Sequence, residues 1–516
     1  MTTKFLYNSV QKNDTDYNVW MAFPGCKAFA FSSLGYLCIS KIFDEIPYVN
    51  FEMVFSDTDK TKIFSKDVDF ISFSLSFDMD FLEVFKILEK YNIPLKSSKR
   101  DDSYPIICAG GPVLTANPEP YAEIFDVIVI GDGEKNSKEM IDICHEYKDK
   151  SKSEILKKIS EIEGVYVPSL FQEKVRKSTN KLEKCICSTL LSDESFFANT
   201  YIIEVARGCS NRCAFCIASY LNLPIRFVDY DEIISKIEFG LEHTNKIALL
   251  GAMLGAHPRF DDICSYIYEK VKSGQNIELT VSSLRADLIS PIVIKTLVAC
   301  GQKNSTIAIE AASERLRKVI NKNLSEEQIR NSIKMAQENG LKGLKIYSMI
   351  GLPTETQEDI DEFLRLAKDL KKEFKGFELS YAFSTFVPKP HTPFQWCARE
   401  ATKSLEQKQK YLKKEFHKLG IDASFSSAKW DYYQTLLSRG GRELADYLIE
   451  VYKQGGKIGA FKSAYKEVSK QKFLPEIDFY TTRNYDLSEK LPWDFVEFKI
   501  NKEFLVNEYK KLLNLE

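Results

Sequence analysis

Nothing in this 516-residue chain is apolar for long enough to cross a bilayer, and its formal net charge is only −2. The first absence argues against a membrane-spanning helix. The second leaves no basic field, so a dedicated nucleic-acid binder is not indicated. The N-terminus, Met1-Thr2-Thr3-Lys4-Phe5, lacks the apolar core of a secretory signal, and a cytoplasmic protein is the expectation. There are five histidines, none before His145, and no internal repeats or low-complexity tracts. Twelve cysteines in a chain of this size are too sparse for a secreted disulfide framework. Most stand singly in apolar surroundings, as Cys38, Cys108, Cys144, Cys264 and Cys300 do, and read as small buried hydrophobes. Cys185 and Cys187 alternate along a short strand pattern, where packing on one face is the favoured reading.

Against that background, Cys209, Cys213 and Cys216 stand out. They follow an apolar stretch, Tyr201–Ala206, that reads as a strand. Zinc normally takes four ligands in paired spacing, which this run lacks. Three thiolates on one short loop suit three irons of a [4Fe–4S] cube and leave the fourth open to a small molecule.

The rest of the chain has room for two or three domains. Residues 1–150 alternate strands with helices: strands at Asp69–Leu75, Tyr104–Ala109 and Asp126–Ile130, and a helix over Phe81–Tyr91. The second and third strands end at Gly110-Gly111-Pro112 and Gly131-Asp132-Gly133-Glu134. That pattern predicts a doubly wound parallel sheet with glycine turns open to close backbone approach at its carboxyl edge. Residues 151–198, a charged helix and then short alternating strands that include Gly164-Val165-Tyr166-Val167-Pro168, read as a connector. Residues 199–397 form a second βα series, with strands at Tyr201–Ala206, Lys246–Gly251, Ile277–Ser283, Ser305–Glu310, Leu344–Ile350 and Phe377–Phe386. Ser325 with Gln328, and Thr356 with Asp359, mark helix starts between them. The series predicts a partial (β/α)6 barrel whose chemistry lies at the carboxyl ends of its strands, the side on which the cysteine loop falls. Residues 398–516 are mostly helical in pattern.

The spacing Cys-x3-Cys-x2-Cys, with Phe215 before the last cysteine, resembles the signature of the radical S-adenosylmethionine (SAM) superfamily. Further segments extend the resemblance: Leu250-Gly251-Ala252-Met253, Val281-Ser282-Ser283-Leu284-Arg285, Ile309-Glu310-Ala311, Asn321-Lys322, Ile350-Gly351-Leu352-Pro353 and Val387-Pro388-Lys389-Pro390-His391. Weaker echoes occur at Arg439-Gly440 and Leu491-Pro492-Trp493. Together they look like the radical SAM proteins that carry an N-terminal cobalamin-binding-like domain.

The resemblance implies a [4Fe–4S] cluster on the three cysteines and SAM as cofactor. It puts Phe215, Gly251, Ala252, Ser283, Arg285, Glu310 and Arg317 among the SAM-binding candidates, Arg317 as partner of the carboxylate. The family's usual Gly-Gly-Glu is altered here to Gly251-Ala252-Met253. An ion pair between Glu310 and Arg285 is the structural alternative for those two residues. His257 and His391 read as structural loop histidines rather than catalytic ones. The Asp-x-His-x-x-Gly loop that supplies a lower cobalamin ligand is absent, so loss of cobalamin is favoured over binding without a protein ligand. The leading expectation is hydrogen abstraction from an unidentified substrate, fed by an electron donor such as flavodoxin or ferredoxin. Cobalamin-dependent methyl transfer is the alternative. A methylthiotransferase acting on transfer RNA and a non-catalytic iron–sulfur protein rank lower.

Overall fold

The computed structural model describes residues 3–8, 10–12 and 14–514. The N-terminal sheet has six strands: β1 (Tyr17–Phe23), β2 (Val49–Phe55), β3 (Phe70–Ser74), β4 (Ile106–Gly110), β5 (Val127–Val129) and β6 (Val165–Tyr166), in the order β2-β1-β3-β4-β5-β6. The first five strands are parallel, and β6 closes the edge antiparallel to β5. Strands covered on both faces need near-continuous apolar sequence, and Phe70-Ile71-Ser72-Phe73 of β3 meets that requirement. One face is covered by α1 (Leu34–Asp44) and by α3 (Glu134–Glu146), and the other by α2 (Phe81–Lys90).

The second unit begins with β7 (Thr200–Arg207), α4 (Tyr230–Leu241), β8 (Lys246–Gly251), α5 (Phe260–Lys272) and β9 (Glu278–Val281). It continues through α6 (Pro291–Ala299), β10 (Asn304–Glu310), α7 (Glu326–Glu338), β11 (Gly343–Ile350), α8 (Gln357–Glu373) and β12 (Glu378–Thr385). Both expected capping boxes form, Ser325 with Gln328 and Thr356 with Asp359. Strands β7 to β9 and β10 to β12 are parallel runs, joined where Leu284 bridges Ile307. Ile203, Leu249, Ile307 and Ile346 sit in the apolar core between these strands and their helices.

Several strands lie where the sequence pattern named none, β1 and β2 among them. After α9 (Thr402–Lys418) a seventh parallel strand, β13 (Asp422–Phe425), extends the barrel beyond residue 397. Its four residues, Asp-Ala-Ser-Phe, carry no β-branched side chain, and the pattern gave no sign of it. Within the connector, the short strand expected around Val165 and Tyr166 forms, but it is the edge of the N-terminal sheet rather than part of a separate linker.

The C-terminal helices do not stand apart. α10 (Ala428–Arg439), α11 (Ala445–Lys453) and α12 (Ile458–Val468) share one apolar core with α2 and the first sheet, where Leu436, Tyr447 and Phe461 meet Phe81 and Phe85. The last helix, α13 (Lys502–Leu512), returns to the barrel: Leu505 and Tyr509 join Trp396 and Trp493 over the loop that follows β7.

Candidate active site

The cysteine loop leaves the carboxyl end of β7 at Gly208, whose φ of +90° suits glycine alone; a Cβ there would lie 2.5 Å from the Asn222 carbonyl oxygen. The loop is then held on three sides. Ala214 N–H donates to the Ile320 carbonyl at 3.0 Å, and Phe394 N–H donates to the Ala214 carbonyl at 3.1 Å. The Arg212 carbonyl accepts from the Tyr220 hydroxyl at 2.9 Å and from the Asn321 amide at 3.0 Å. Cys213 is buried, while Cys209 and Cys216 are half-buried. Burial pushes the Cys213 thiol up to about 12, against the pull of Lys322 and Arg285. Burial likewise raises Cys216.

The cations near Cys213 come from the next strand ends. Arg285 follows β9, donates to the Lys322 carbonyl at 2.9 Å, and pairs with Asp287 at 2.6 Å. Lys322 reaches Glu310, the last residue of β10, at 3.1 Å. The ion pairs are therefore Arg285 with Asp287 and Glu310 with Lys322, not Glu310 with Arg285. Glu310 holds a φ of +64°, a left-handed conformation that costs a side-chain-bearing residue about 1 kcal/mol. Backbone strain of this kind clusters at working sites.

Gly251 is buried at the end of β8, where a Cβ would meet Leu254 at 2.9 Å and Ala206 at 3.2 Å; its role in the fold is close packing. Ala252 and Ser283 are exposed on the same side of the barrel, and Phe215 packs beneath the loop against the tryptophan cluster. Arg317 departs from expectation. Its side chain is fully buried, with Nη1 donating to Ala311 at 3.0 Å and Nε to Leu324 at 2.5 Å. The guanidinium braces the turn after β10 and does not face the mouth.

Sequence reasoning passed over Met253. Its sulfur lies 3.6 Å from Cys209 Sγ and accepts from the Asn211 amide at 2.8 Å. The signal was present in the altered Gly-Gly-Glu, since a thioether there puts a soft atom beside a thiol. Lys322 was legible only as part of a motif with no role attached. His257 and His391 are both buried and bonded to backbone: His257 to the Val228 carbonyl at 2.8 Å, His391 to the Ala116 carbonyl at 3.1 Å.

The donor set suits a cluster better than a single ion. Among the described residues no three His, Cys, Asp or Glu side chains converge on one point. A cubane offers a separate iron to each thiolate and needs no such convergence. Trp396, Trp493 and Tyr509 exclude water from behind the loop.

Between the first sheet and the barrel lies a cavity of about 400 Å³. Ser72, Gly110, Gly111 and Met140 line it from the sheet, and Arg207 and Leu250 from the barrel. The Gly131-Asp132-Gly133 turn reaches it too, but the close approach at Gly131 is already occupied. With φ at +103°, its Cβ position lies 2.3 Å from the chain's own Ser178 carbonyl.

The structure thus sets three thiols on the first strand-end loop of a βα barrel and cations on the loops that follow. Comparison with known proteins identifies the family. Residues 50–168 match the family model for the N-terminal part of radical SAM proteins, and residues 203–367 match the model of the radical SAM superfamily. An uncharacterized protein of Methanocaldococcus jannaschii is 31% identical over 388 residues, covering 74% of this chain and 80% of that protein. A Pyrococcus horikoshii protein described as an uncharacterized methyltransferase is 25% identical over 344 residues, 59% of this chain and 71% of its own length. Among solved structures, the radical SAM methyltransferase TsrM from Kitasatospora setae, with cobalamin and a [4Fe–4S] cluster bound, superposes with a TM-score of 0.49 at 13% identity, covering 73% of this chain and 74% of that one. The chain belongs to the radical SAM superfamily, whose members are enzymes that use a [4Fe–4S] cluster and SAM and require a reductant. No helix among the described residues is long and apolar enough to cross a membrane.

Proposed function

We propose that this protein cleaves SAM reductively in the barrel mouth and abstracts hydrogen from a bound substrate. The observation that carries the reading is the cysteine loop at the end of β7, backed by tryptophans and faced by Lys322 and Arg285. Cys209, Cys213 and Cys216 would hold the cluster. When bound, the cluster supplies the electron that splits the sulfonium of SAM and releases a 5′-deoxyadenosyl radical. The chain's own part is placement and dryness. Glu310 and Ser283, at neighbouring strand ends, would accept from and donate to ribose hydroxyls. Arg285 and Lys322 offset negative charge beside the thiolates. Trp396 and Trp493 keep water from the back of the loop. A small redox protein such as flavodoxin or ferredoxin would deliver the electron.

The test is anaerobic reconstitution followed by dithionite and SAM. The cluster's electron paramagnetic resonance (EPR) spectrum and release of 5′-deoxyadenosine are both expected, and both should vanish in Cys213→Ala. A fully loaded cluster that never cleaves SAM, even with cell extract supplied as substrate, would overturn the proposal.

A second reading is favoured by the 400 Å³ cavity and by the name of the Pyrococcus relative: methyl transfer with cobalamin between sheet and barrel. Its lining combines apolar side chains such as Met21, Leu34 and Val129 with glycine turns at Gly110 and Gly111 and with the charged Arg207, Asp132 and Glu134, so a flat ring face could lie against the glycines. No histidine lines it, so Ser72, Gly110 and Met140 would hold such a cofactor through packing and backbone contacts. Cobalamin there would supply a methyl carrier. Aquacobalamin that co-elutes with the protein and shifts its visible spectrum favours this reading over the first; free passage of aquacobalamin through the column excludes it.

A further inference from the structure

A cleft of about 940 Å³ is not lined by any of the three cysteines of the loop. Four distant segments build it: the connector around Lys177, the stretch Leu223–Phe227, the loop at His391, and the chain from Asp494 to Leu505. Seven lysines and arginines line it against four carboxylates. Each of those carboxylates is already taken by a cation of the same cleft: Glu497 by Lys174 at 2.9 Å, Asp494 by Lys502 at 2.8 Å, and Glu163 by Arg176 and Glu183 by Lys181, both at 3.5 Å. Arg226 is held by Asp132 at the cleft's inner wall.

Two ammonium groups remain without a carboxylate among the described residues, Lys177 and Lys499. Lys499 is exposed at the rim. Lys177 is only 6% exposed, and its Nζ donates to two neutral oxygens, the Ser178 carbonyl at 3.2 Å and Thr179 Oγ1 at 2.9 Å. Burying a cation without a counter-charge costs several kcal/mol in the ordinary case. Asp132 attracts Lys177, but Arg226, Arg207 and Lys499 all repel it, and Asp132 is already bonded to both arginines. A buried lysine in that position lacks a counter-ion that the chain does not provide.

The apolar part of the lining is Leu223, Phe227, Val496, Phe498 and Leu505, and the Val496–Glu497 strand pairs with Val175–Arg176 next to Lys177. The Phe498 ring lies against the His391 imidazole with centroids 4.1 Å apart, which holds one flat aromatic face in the cleft. Two free positive charges with aromatic side chains beside them in one cleft call for a ligand with a doubly charged head and an apolar body. Lysine binds phosphate as a point charge, whereas a single carboxylate would leave one ammonium unanswered.

We propose that this cleft binds an organic phosphate, with the phosphoryl group between Lys177 and Lys499 and the organic part against Phe227 and Phe498. The site is separate from the cysteine loop, and its occupancy does not depend on the reaction assigned there. Reconstituted protein would be titrated calorimetrically with 1-naphthyl phosphate, 1-naphthol and inorganic pyrophosphate. The expected result is one naphthyl phosphate per chain, weakened at least tenfold in Lys177→Met and in Lys499→Met, with pyrophosphate weaker and naphthol weaker still. Lys499 is exposed, so its variant tests the site even where loss of Lys177 disturbs folding. Naphthyl phosphate binding that is absent at millimolar concentration, matched by naphthol, or unchanged in Lys499→Met would overturn the proposal.

Discussion

Arg207, the last residue of the strand that launches the cysteine loop, lies 3.0 Å from the carboxylate of Asp132, in the glycine turn of the N-terminal sheet. Arg226 grips the same carboxylate from the barrel side, and Arg207 also reaches Glu134 at 2.8 Å. This buried knot joins the two sheets two residues before Cys209.

Asp132→Asn should therefore cost about 3 kcal/mol, because it leaves Arg226 without its carboxylate in a place water barely reaches, while Arg207 keeps Glu134 and Glu204. Burial opposes ionisation of Asp132, but Arg207 and Arg226 outweigh it and hold the carboxyl below its ordinary value. A depressed carboxyl stabilises the fold above its unfolded pKa of ~4 and loses that contribution as pH falls through the folded value. Urea titrations should show the largest gap between wild type and variant at neutral pH, closing below about pH 4. A gap independent of pH would refute the assignment.

The glycines of that turn permit a sharper comparison. Gly131 and Gly376 both have positive φ, at +103° and +77°. A Cβ at Gly131 strikes the Ser178 carbonyl, backbone that cannot yield, whereas at Gly376 it meets open space. Gly376→Ala should cost about 1 kcal/mol from backbone strain alone. Gly131→Ala should cost more than twice that and lower the thermal midpoint accordingly. Equal losses would mean that the contact with Ser178 does not matter.

The same position shows what the sequence could and could not reveal. The glycine after β5 was readable as a site of close approach, but not what approaches it, because Ser178 lies 47 positions downstream in a segment without pattern. Strands β7, β8, β10, β11 and β12 were legible within a residue or so at each end, since buried parallel strands are long apolar runs. Asp422–Phe425 was not, since pairing rather than periodicity defines so short an element, and Val165–Tyr166 was readable as a short strand but not as the edge of the first sheet. In the site, the cysteines were visible from spacing, whereas the cage around Arg317 and the Glu310–Lys322 pair are tertiary facts. An arginine near a strand end gives no sign of whether it faces a ligand or its own carbonyls.

The Glu310–Lys322 pair bears on the cluster's electronics. Lys322→Met removes a positive charge beside the thiolates and leaves Glu310 uncompensated, which disfavours adding an electron. Glu310→Gln does the reverse. An EPR-monitored redox titration should find the midpoint more negative in Lys322→Met and less negative in Glu310→Gln, each by on the order of 50 mV for a partly screened unit charge. Shifts in the same direction in both variants would rule out this electrostatic account.

His391 carries the last prediction. It sits at a left-handed φ of +58°, buried against Phe498, and bonded through Nε2 to the Ala116 carbonyl. Burial drives its pKa down to about 3, only partly offset by that hydrogen bond. The unfolded chain takes up a proton near pH 6.5 and the folded one does not, so stability is full above about 6.5 and drains away as pH falls toward 3. Each unit of that window is worth about 1.4 kcal/mol, hence roughly 2 kcal/mol between pH 7 and pH 5. Asparagine tolerates a left-handed backbone and does not titrate there. His391→Asn should therefore be less stable than wild type at pH 7 for want of packing, yet lose about 2 kcal/mol less on acidification to pH 5. Urea midpoints at the two pH values measure this directly, and parallel losses in the two proteins would show that His391 is protonated in the fold.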